Sequence, residues 1–301
     1  MDVLVTCINF PYPLENGENL RIYHYTRALR EKLDFDLVCL GSEPVPEPLT
    51  ALFRNIQPIK ADRRLHFDSS LHRLAASFSI DQFCPRIPEL QRGLQQALAA
   101  RRYDVIWSSA EVLPSLPADC NVPVLGDIVD DMVVQSKRLL KTRRRPGQYI
   151  KTLKRLLLAR GFEKRYFSKA DACLYVSEVD AEYFSRLCPA TSVEVIHNGV
   201  DAEFFSPAPD PVEEDYLVFE GNMGFYPNSD GAQHFCNEIL PLILERRPNV
   251  KLYLVGKEPS KRVLALASPH VVVTGFVDDV RPYLRKATVF VSPTRTGTGI
   301  K

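Results

Sequence analysis

Val3–Leu40 reads V-L-V-T-C-I-N-F-P-Y-P-L-E-N-G-E-N-L-R-I-Y-H-Y-T-R-A-L-R-E-K-L-D-F-D-L-V-C-L. Val3–Ile8 is a short, mostly apolar run, the pattern of a strand buried on both faces. A proline-bearing loop follows. Glu18–Lys32 then reads as a helix, with Leu20, Tyr23, His24, Arg27, Ala28 and Glu31 sampling its faces, and Phe35–Leu40 reads as a second strand. Strand, loop, helix, strand is the signature of a parallel sheet covered by helices.

Outward from there the pattern repeats. Asp104–Trp107 and Pro123–Asp127 read as strands, and Pro85–Arg102 and Tyr149–Ser168 contain helices. Ala172–Val176 and Val193–Ile196 close this half. Asn198–Asp215 is rich in Pro, Asp, Glu and Phe without a clean period, and reads as a linker. The alternation then restarts, with strands at Tyr216–Glu220, Val250–Val255, His270–Thr274 and Thr288–Ser292. Helices are expected at Pro227–Arg246, Ser260–Ala267 and Asp279–Lys286. The expectation is an α/β protein of two doubly wound units, residues 1–197 and 216–301, joined by 198–215. The second unit shows four strands and ends on one. Ligands of such sheets lie beyond the carboxyl ends of the strands, and the cleft between two facing units is the default site.

Composition narrows the class. A 45% hydrophobic, 25% charged chain of 301 residues is ordinary for a globular protein, and a net charge of +1 gives no global push toward nucleic acid. No nucleic-acid motif is present. The seven cysteines form no C-x-x-C pair, which argues against zinc and against a disulfide framework. The six histidines have no metal-ligand spacing. The N-terminus lacks the basic start of a signal peptide and no apolar run approaches the ~20 residues of a membrane span. A cytoplasmic location is expected, with contact at the inner membrane face left open.

Four stretches carry a family resemblance. V-E-V-I-H-N-G-V-D-A-E-F-F-S-P (Val193–Pro207) resembles the hinge segment of the retaining glycosyltransferase family 4 (group 1 glycosyltransferases). V-V-V-T-G-F-V-D-D-V-R-P-Y-L-R-K-A-T-V-F-V-S-P (Val271–Pro293) is similar to that family's nucleotide-contacting part. E-G-N-M-G-F-Y-P-N-S-D-G (Glu220–Gly231) and F-P-Y-P-L-E-N-G-E-N-L-R-I-Y-H (Phe10–His24) resemble its exopolysaccharide-associated branch. The resemblance implies the GT-B fold, two Rossmann-like domains, the first on the acceptor side and the second binding the donor. It implies transfer with retention from a nucleotide-diphosphate sugar, UDP- or GDP-linked or similar, to a glycan or lipid-linked acceptor, with no metal and no further cofactor. It also implies residues beyond Lys301: a carboxylate for the donor and a final helix. The second domain is therefore expected to be incomplete.

Individual motifs have two readings each. Gly17, after Glu15-Asn16, opens a helix whose N-terminus presents free N–H groups to an anion; the plainer reading is a βα turn. Asp127 and Asp130 follow a strand and are candidates to take a proton from, or to hold, an acceptor hydroxyl. Asp130 or Asp131 is equally a helix N-cap. Gly221, Asn222 and Gly224 follow the first strand of the second domain, where backbone N–H groups reach phosphates. Many relatives place an Arg and a Lys just after this point; Phe225-Tyr226-Pro227-Asn228 has no cation. Lys257, Arg295 and Lys301 are the candidate replacements, with Gly297 and Gly299 turning the terminal loop toward the donor. Gly275-Phe276-Val277 corresponds, by the resemblance, to the segment that contacts the base, beside a plain strand-to-helix turn capped by Asp278 or Asp279.

Lys137–Lys169 holds thirteen lysines and arginines and one acidic residue, Glu163. With Ile150, Leu153, Leu156, Leu157 and Phe162 along it, the segment is either a solvated helical face or a peripheral contact with anionic lipid. The competing functional reading is a non-catalytic nucleotide-sugar or partner-binding remnant. A nicotinamide-dependent dehydrogenase fits poorly, since Cys7–Gly17 is long, proline-rich and lacks G-x-G-x-x-G.

Overall fold

The computed structural model describes residues 1–14, 16–61, 77–142, 145–207 and 213–296. The chain forms two compact units, one from Met1 to Asn198 and another from Gly199 onward.

In the first unit seven parallel strands pair in the order β3-β2-β1-β4-β5-β6-β7. They are β1 (Asp2–Cys7), β2 (Asp34–Leu40), β3 (Asn55–Ile59), β4 (Val105–Ser109), β5 (Val124–Ile128), β6 (Ala172–Tyr175) and β7 (Ser192–Val195). The period of two in the strands divides their side chains between two covered faces. Val3, Val5, Cys7 and Leu37 pack with Ile22 of α1 (Gly17–Leu29) and Leu49 of α2 (Glu47–Thr50). Leu4, Val38 and Ile106 face the opposite cluster, with Leu90 and Leu94 of α3 (Pro88–Ala100) and Phe162 and Tyr166 of α5 (Pro146–Tyr166). Each such side chain, fully buried, contributes about 1.5–3 kcal/mol of transfer free energy. Helices α4 (Met132–Thr142) and α6 (Glu178–Leu187) complete this unit among the described residues.

Strand β3 is absent from the sequence reading because Pro58 interrupts it and its apolar residues are few. It lies at the sheet edge, where a missing N–H costs no ladder bond.

The second unit has four parallel strands in the order β10-β9-β8-β11. They are β8 (Tyr216–Glu220), β9 (Lys251–Val255), β10 (Val271–Gly275) and β11 (Val289–Phe290). The expected helix over 227–246 is three pieces: α7 (Tyr226–His234), a π-helical turn Phe235–Ile239, and α8 (Leu240–Leu244). Pro241 explains the break, since its ring clashes with the carbonyl four residues back in a regular helix, and the wider turn accommodates it. The next two helices are shorter than expected, α9 (Lys261–Leu264) and α10 (Arg281–Lys286).

The described part of the expected linker is ordered against this unit. The Asp201 carboxylate accepts from the Phe204 N–H at 2.9 Å, and the Arg281 guanidinium lies 4.0 Å from the Phe204 ring centre. All seven cysteines are free thiols. Five are buried, and Cys120 and Cys236 are half-buried.

Candidate functional site

In both units the strand order reverses beside the first strand, between β1 and β4 and between β8 and β11. Open α/β sheets bind ligands at the carboxyl ends of the strands near such a reversal. The described residues among the sequence-predicted ones lie at strand ends or helix starts of the two units.

In the first unit Arg21 of α1 reaches Asp127 of β5. Its Nε donates to Oδ1 at 2.8 Å and to Oδ2 at 2.9 Å, and the Trp107 Nε1–H donates to Oδ2 at 3.2 Å. Both partners are buried, with side chains 1% and 5% exposed. Burial raises the Asp127 pKa, opposed by the Arg21 charge and by the hydrogen bonds from Arg21 and Trp107. Arg21 Nη1 also donates to Tyr25 Oη at 3.1 Å, the Ile196 carbonyl at 2.9 Å and Asn198 Oδ1 at 3.2 Å. Tyr25 donates to the His197 carbonyl at 3.1 Å. Asp127 is thus an anchor for Arg21, which in turn grips the segment following β7. Both Asp127 oxygens are occupied, which does not suit a residue waiting for an acceptor hydroxyl. Asp130 is half-buried nearby.

Asp131 is the N-cap of α4: its Oδ1 accepts from the Val134 N–H at 2.6 Å. A second carboxyl supports it, with Glu163 Oε1 of α5 accepting from the Val133 N–H at 3.1 Å. Asp180 of α6 and Tyr175 of β6 complete a fully buried group. Asp131 Oδ2, Glu163 Oε2, both Asp180 carboxylate oxygens and Tyr175 Oη have no hydrogen-bond partner. Burial, the largest cause, raises Glu163 to about 9, Asp131 to about 7 and Asp180 to about 6. The proximity of Asp131 adds to the Glu163 shift. The sequence held one sign of this group, a lone acid in a stretch of thirteen cations.

Gly17 is the first residue of α1, exposed, with nothing near the position a Cβ would take. Asn16 caps that helix, its Oδ1 accepting from the Asn19 N–H at 2.9 Å. Glu15 and Arg143–Arg144 lie outside the described residues, as do Gly297, Gly299 and Lys301.

In the second unit a glycine stands at or just past the end of each of three adjacent strands: Gly221 after β8, Gly256 after β9 and Gly275 closing β10. Gly256, absent from the sequence reading, is the most constrained. Its φ is +143°, and a Cβ would lie 1.9 Å from the Gly221 carbonyl oxygen. The spacing of glycines behind successive apolar runs was the available signal. The Gly256 N–H donates to the Gly275 carbonyl at 3.2 Å, so the three turns are hydrogen-bonded in series with the Gly221 N–H, which reaches the Val255 carbonyl at 3.0 Å.

Asn222 folds the first turn on itself. Its Oδ1 accepts from the N–H groups of Gly224 at 2.8 Å and Phe225 at 3.2 Å. The Met223 N–H donates to the Lys257 carbonyl at 2.9 Å. The N–H groups of Gly221, Met223, Gly224 and Phe225 all have acceptors within the protein. A phosphate at this loop would have to exchange with one of them. Lys257 is half-buried. Phe276 is 70% exposed, while Val277 packs inward beside Tyr253 and Val280. Arg295, in the loop after β11, donates from Nε and Nη2 to Asp230 Oδ2 of α7 at 3.2 and 2.9 Å. That loop passes so close to α7 that a Cβ on Gly231 would lie 3.1 Å from the Pro293 carbonyl oxygen. The candidate cation is therefore present at the reversal between β8 and β11, paired with an aspartate.

Residues 16–199 match a glycosyl transferase 4-like domain model, and residues 214–301 match a model of glycosyl transferases group 1. The chain is 19% identical, over 99% of its length and 78% of the other's, to an uncharacterized 44.6 kDa protein in the cps region of Klebsiella pneumoniae. Two solved structures of similar fold are HepE of Anabaena in complex with UDP and glucose and a glycosyltransferase from Rickettsia africae. For HepE the TM-score is 0.54 and the identity 14%, over 96% of this chain and 73% of that one. For the Rickettsia protein the TM-score is 0.57 and the identity 11%, over 97% and 73%. The two doubly wound parallel units are those of the GT-B fold.

Proposed function

We propose that this chain, which belongs to the glycosyl transferase 4-like family and is a glycosyltransferase, moves a sugar from a nucleotide diphosphate to a glycan or lipid-linked acceptor with retention of configuration. The observation that carries this reading is the row of glycine turns at the carboxyl ends of β8, β9 and β10 beside Arg295 at the sheet reversal. Glycine turns let backbone approach a phosphate closely, and a guanidinium stabilises the charge that builds on a leaving diphosphate. The UDP and glucose bound by HepE support a nucleotide-diphosphate sugar donor. The cps-region relative supports a role in exopolysaccharide synthesis.

Front-face transfer with retention depends on positioning and on the leaving phosphate more than on a strong protein base. The locked state of Asp127 agrees with this. Asp127 then acts by fixing Arg21, and Asp130 is the carboxylate proposed to hold an acceptor hydroxyl. Gly17, Gly221, Asn222, Gly224, Lys257 and Gly275–Val277 are proposed donor contacts. Contact with an anionic membrane face belongs to the same reading. Helix α5 exposes Ile150 (67%) and Leu157 (65%) about two turns apart on one face, flanked by Lys151 and Arg160, and among the described residues no helix is long and apolar enough to cross a membrane.

Calorimetric titration with UDP-glucose and GDP-mannose, then with UDP, GDP and the nucleosides, tests the reading. Arg295→Ala should weaken diphosphate binding tenfold or more and leave nucleoside binding unchanged. Equal losses would refute the phosphate role. Tight donor binding without sugar transfer to any acceptor would favour the non-catalytic alternative.

A further inference from the structure

The first unit has a cleft of about 550 Å³ that the donor reading does not use. It lies between the loop following β1 and the loop following β2, on the far side of β1 from the sheet reversal. Its volume falls within the roughly 300–1,000 Å³ typical of small-molecule sites. Phe10, Tyr12 and Pro44 supply ring and ring-like faces, and Asn16, Ser42 and Glu43 supply polar groups. Among its lining residues there is no Lys, Arg or His.

We propose that this cleft binds an uncharged sugar ring of the acceptor glycan. The chemistry of the lining carries the proposal. A pyranose presents a C–H face, which suits aromatic and proline surfaces, and a rim of hydroxyls, which suits amides, a hydroxyl and a carboxylate acceptor. Several polar groups are already used in building the walls: Asn16 Oδ1 caps α1, and Asn19 Nδ2 donates to the Pro13 carbonyl at 2.8 Å. Ser42 and Glu43 are exposed and have no hydrogen-bond partner among the described residues, so their oxygens face incoming solute.

An anion fares badly here. A uronate or a sugar phosphate would bring its charge to a lining with one carboxylate and no cation, where like charges repel. The aromatic wall is seated by Gly41 at the end of β2: a Cβ there would lie 2.6 Å from the Phe10 ring, so glycine allows the ring to lie against the backbone.

The assignment to an acceptor rests on the glycosyl-transfer reading; the preference for neutral sugar does not. Saturation-transfer NMR on the full chain tests both. The neutral probes are methyl α-D-glucopyranoside, methyl α-D-mannopyranoside and methyl β-D-galactopyranoside, and the charged probes are glucuronate and galacturonate. At least one neutral ring should take up saturation, and Phe10→Ala and Glu43→Ala should each weaken it tenfold or more. Glu43 is exposed, so its variant keeps the fold. Uronates should stay unsaturated with the native protein and gain signal with Glu43→Gln. Three results would overturn the proposal: uronates binding as well as neutral rings, no neutral probe binding up to about 50 mM, or both alanine variants binding unchanged. Titration of the same variants with UDP-glucose and GDP-mannose separates the two readings. If donors bind and the neutral rings fail, the cleft is wrong; if the rings bind and donors fail, the transfer reading is wrong.

Discussion

Glu163→Gln should stabilise the protein at pH 8 much more than at pH 5. In the unfolded chain Glu163 titrates near the ordinary 4.5, whereas burial beside Asp131 raises it to about 9 in the fold. Between those values the unfolded state releases a proton that the native state retains. Stability therefore falls as pH rises through this window and is fully present only below 4.5. Each pH unit is worth about 1.4 kcal/mol. The cost is about 5 kcal/mol at pH 8 and under about 1 kcal/mol at pH 5, a difference on the order of 4 kcal/mol. It is an upper bound, because water admitted to the cluster would lower the native value. Glutamine keeps the shape and an oxygen to accept the Val133 N–H, and it has no proton to lose. Glu163→Ala leaves that N–H unpaired and opens a cavity, and should destabilise at both pH values. Urea unfolding of the three proteins at pH 5 and pH 8 measures this. An equal Gln-minus-native difference at the two pH values would mean that Glu163 is ionised in the fold, and the reasoning would fail.

Three further outcomes follow from the geometry. Asp127→Asn leaves the Arg21 charge buried without its counter-ion and should cost roughly 3–5 kcal/mol in urea unfolding, whereas Arg21→Met/Asp127→Leu should recover most of it; equal losses would contradict a buried ion pair. Gly256→Ala forces a Cβ into the Gly221 carbonyl and should cost on the order of 3 kcal/mol, read as a lowered melting temperature, while Gly147→Ala on open surface should be neutral. Ile150→Asp/Leu157→Asp should cut cosedimentation with phosphatidylglycerol vesicles tenfold or more at unchanged thermal stability, since each buried aliphatic side chain is worth about 1.5–3 kcal/mol; binding unchanged by the variant would place the membrane contact elsewhere or nowhere.

Much of the architecture was legible in the order of residues. Val3–Ile8 and Phe35–Leu40 read as strands because a strand covered on both faces is apolar throughout, and the two pair in register from Val3 with Phe35 to Cys7 with Cys39. The glycines at 221 and 275 stood out for the same local reason, each ending an apolar run. Where local pattern and context disagreed, context won. Pro58 hid an edge strand, and Pro241 divided one expected helix into three pieces.

The sequence by itself determined two doubly wound units and the loops that bear polar residues, because period and turn chemistry are written within a few neighbouring positions. Only the tertiary structure decided what those residues do. Asp127 looked available until Arg21, 106 positions away, was found on both its oxygens. Arg295 looked like a free cation until Asp230 met it, and Glu163 looked like one acid on a basic surface until burial gave it a proton. Charge state and availability depend on burial and on distant partners, and neither is encoded in any single stretch of chain.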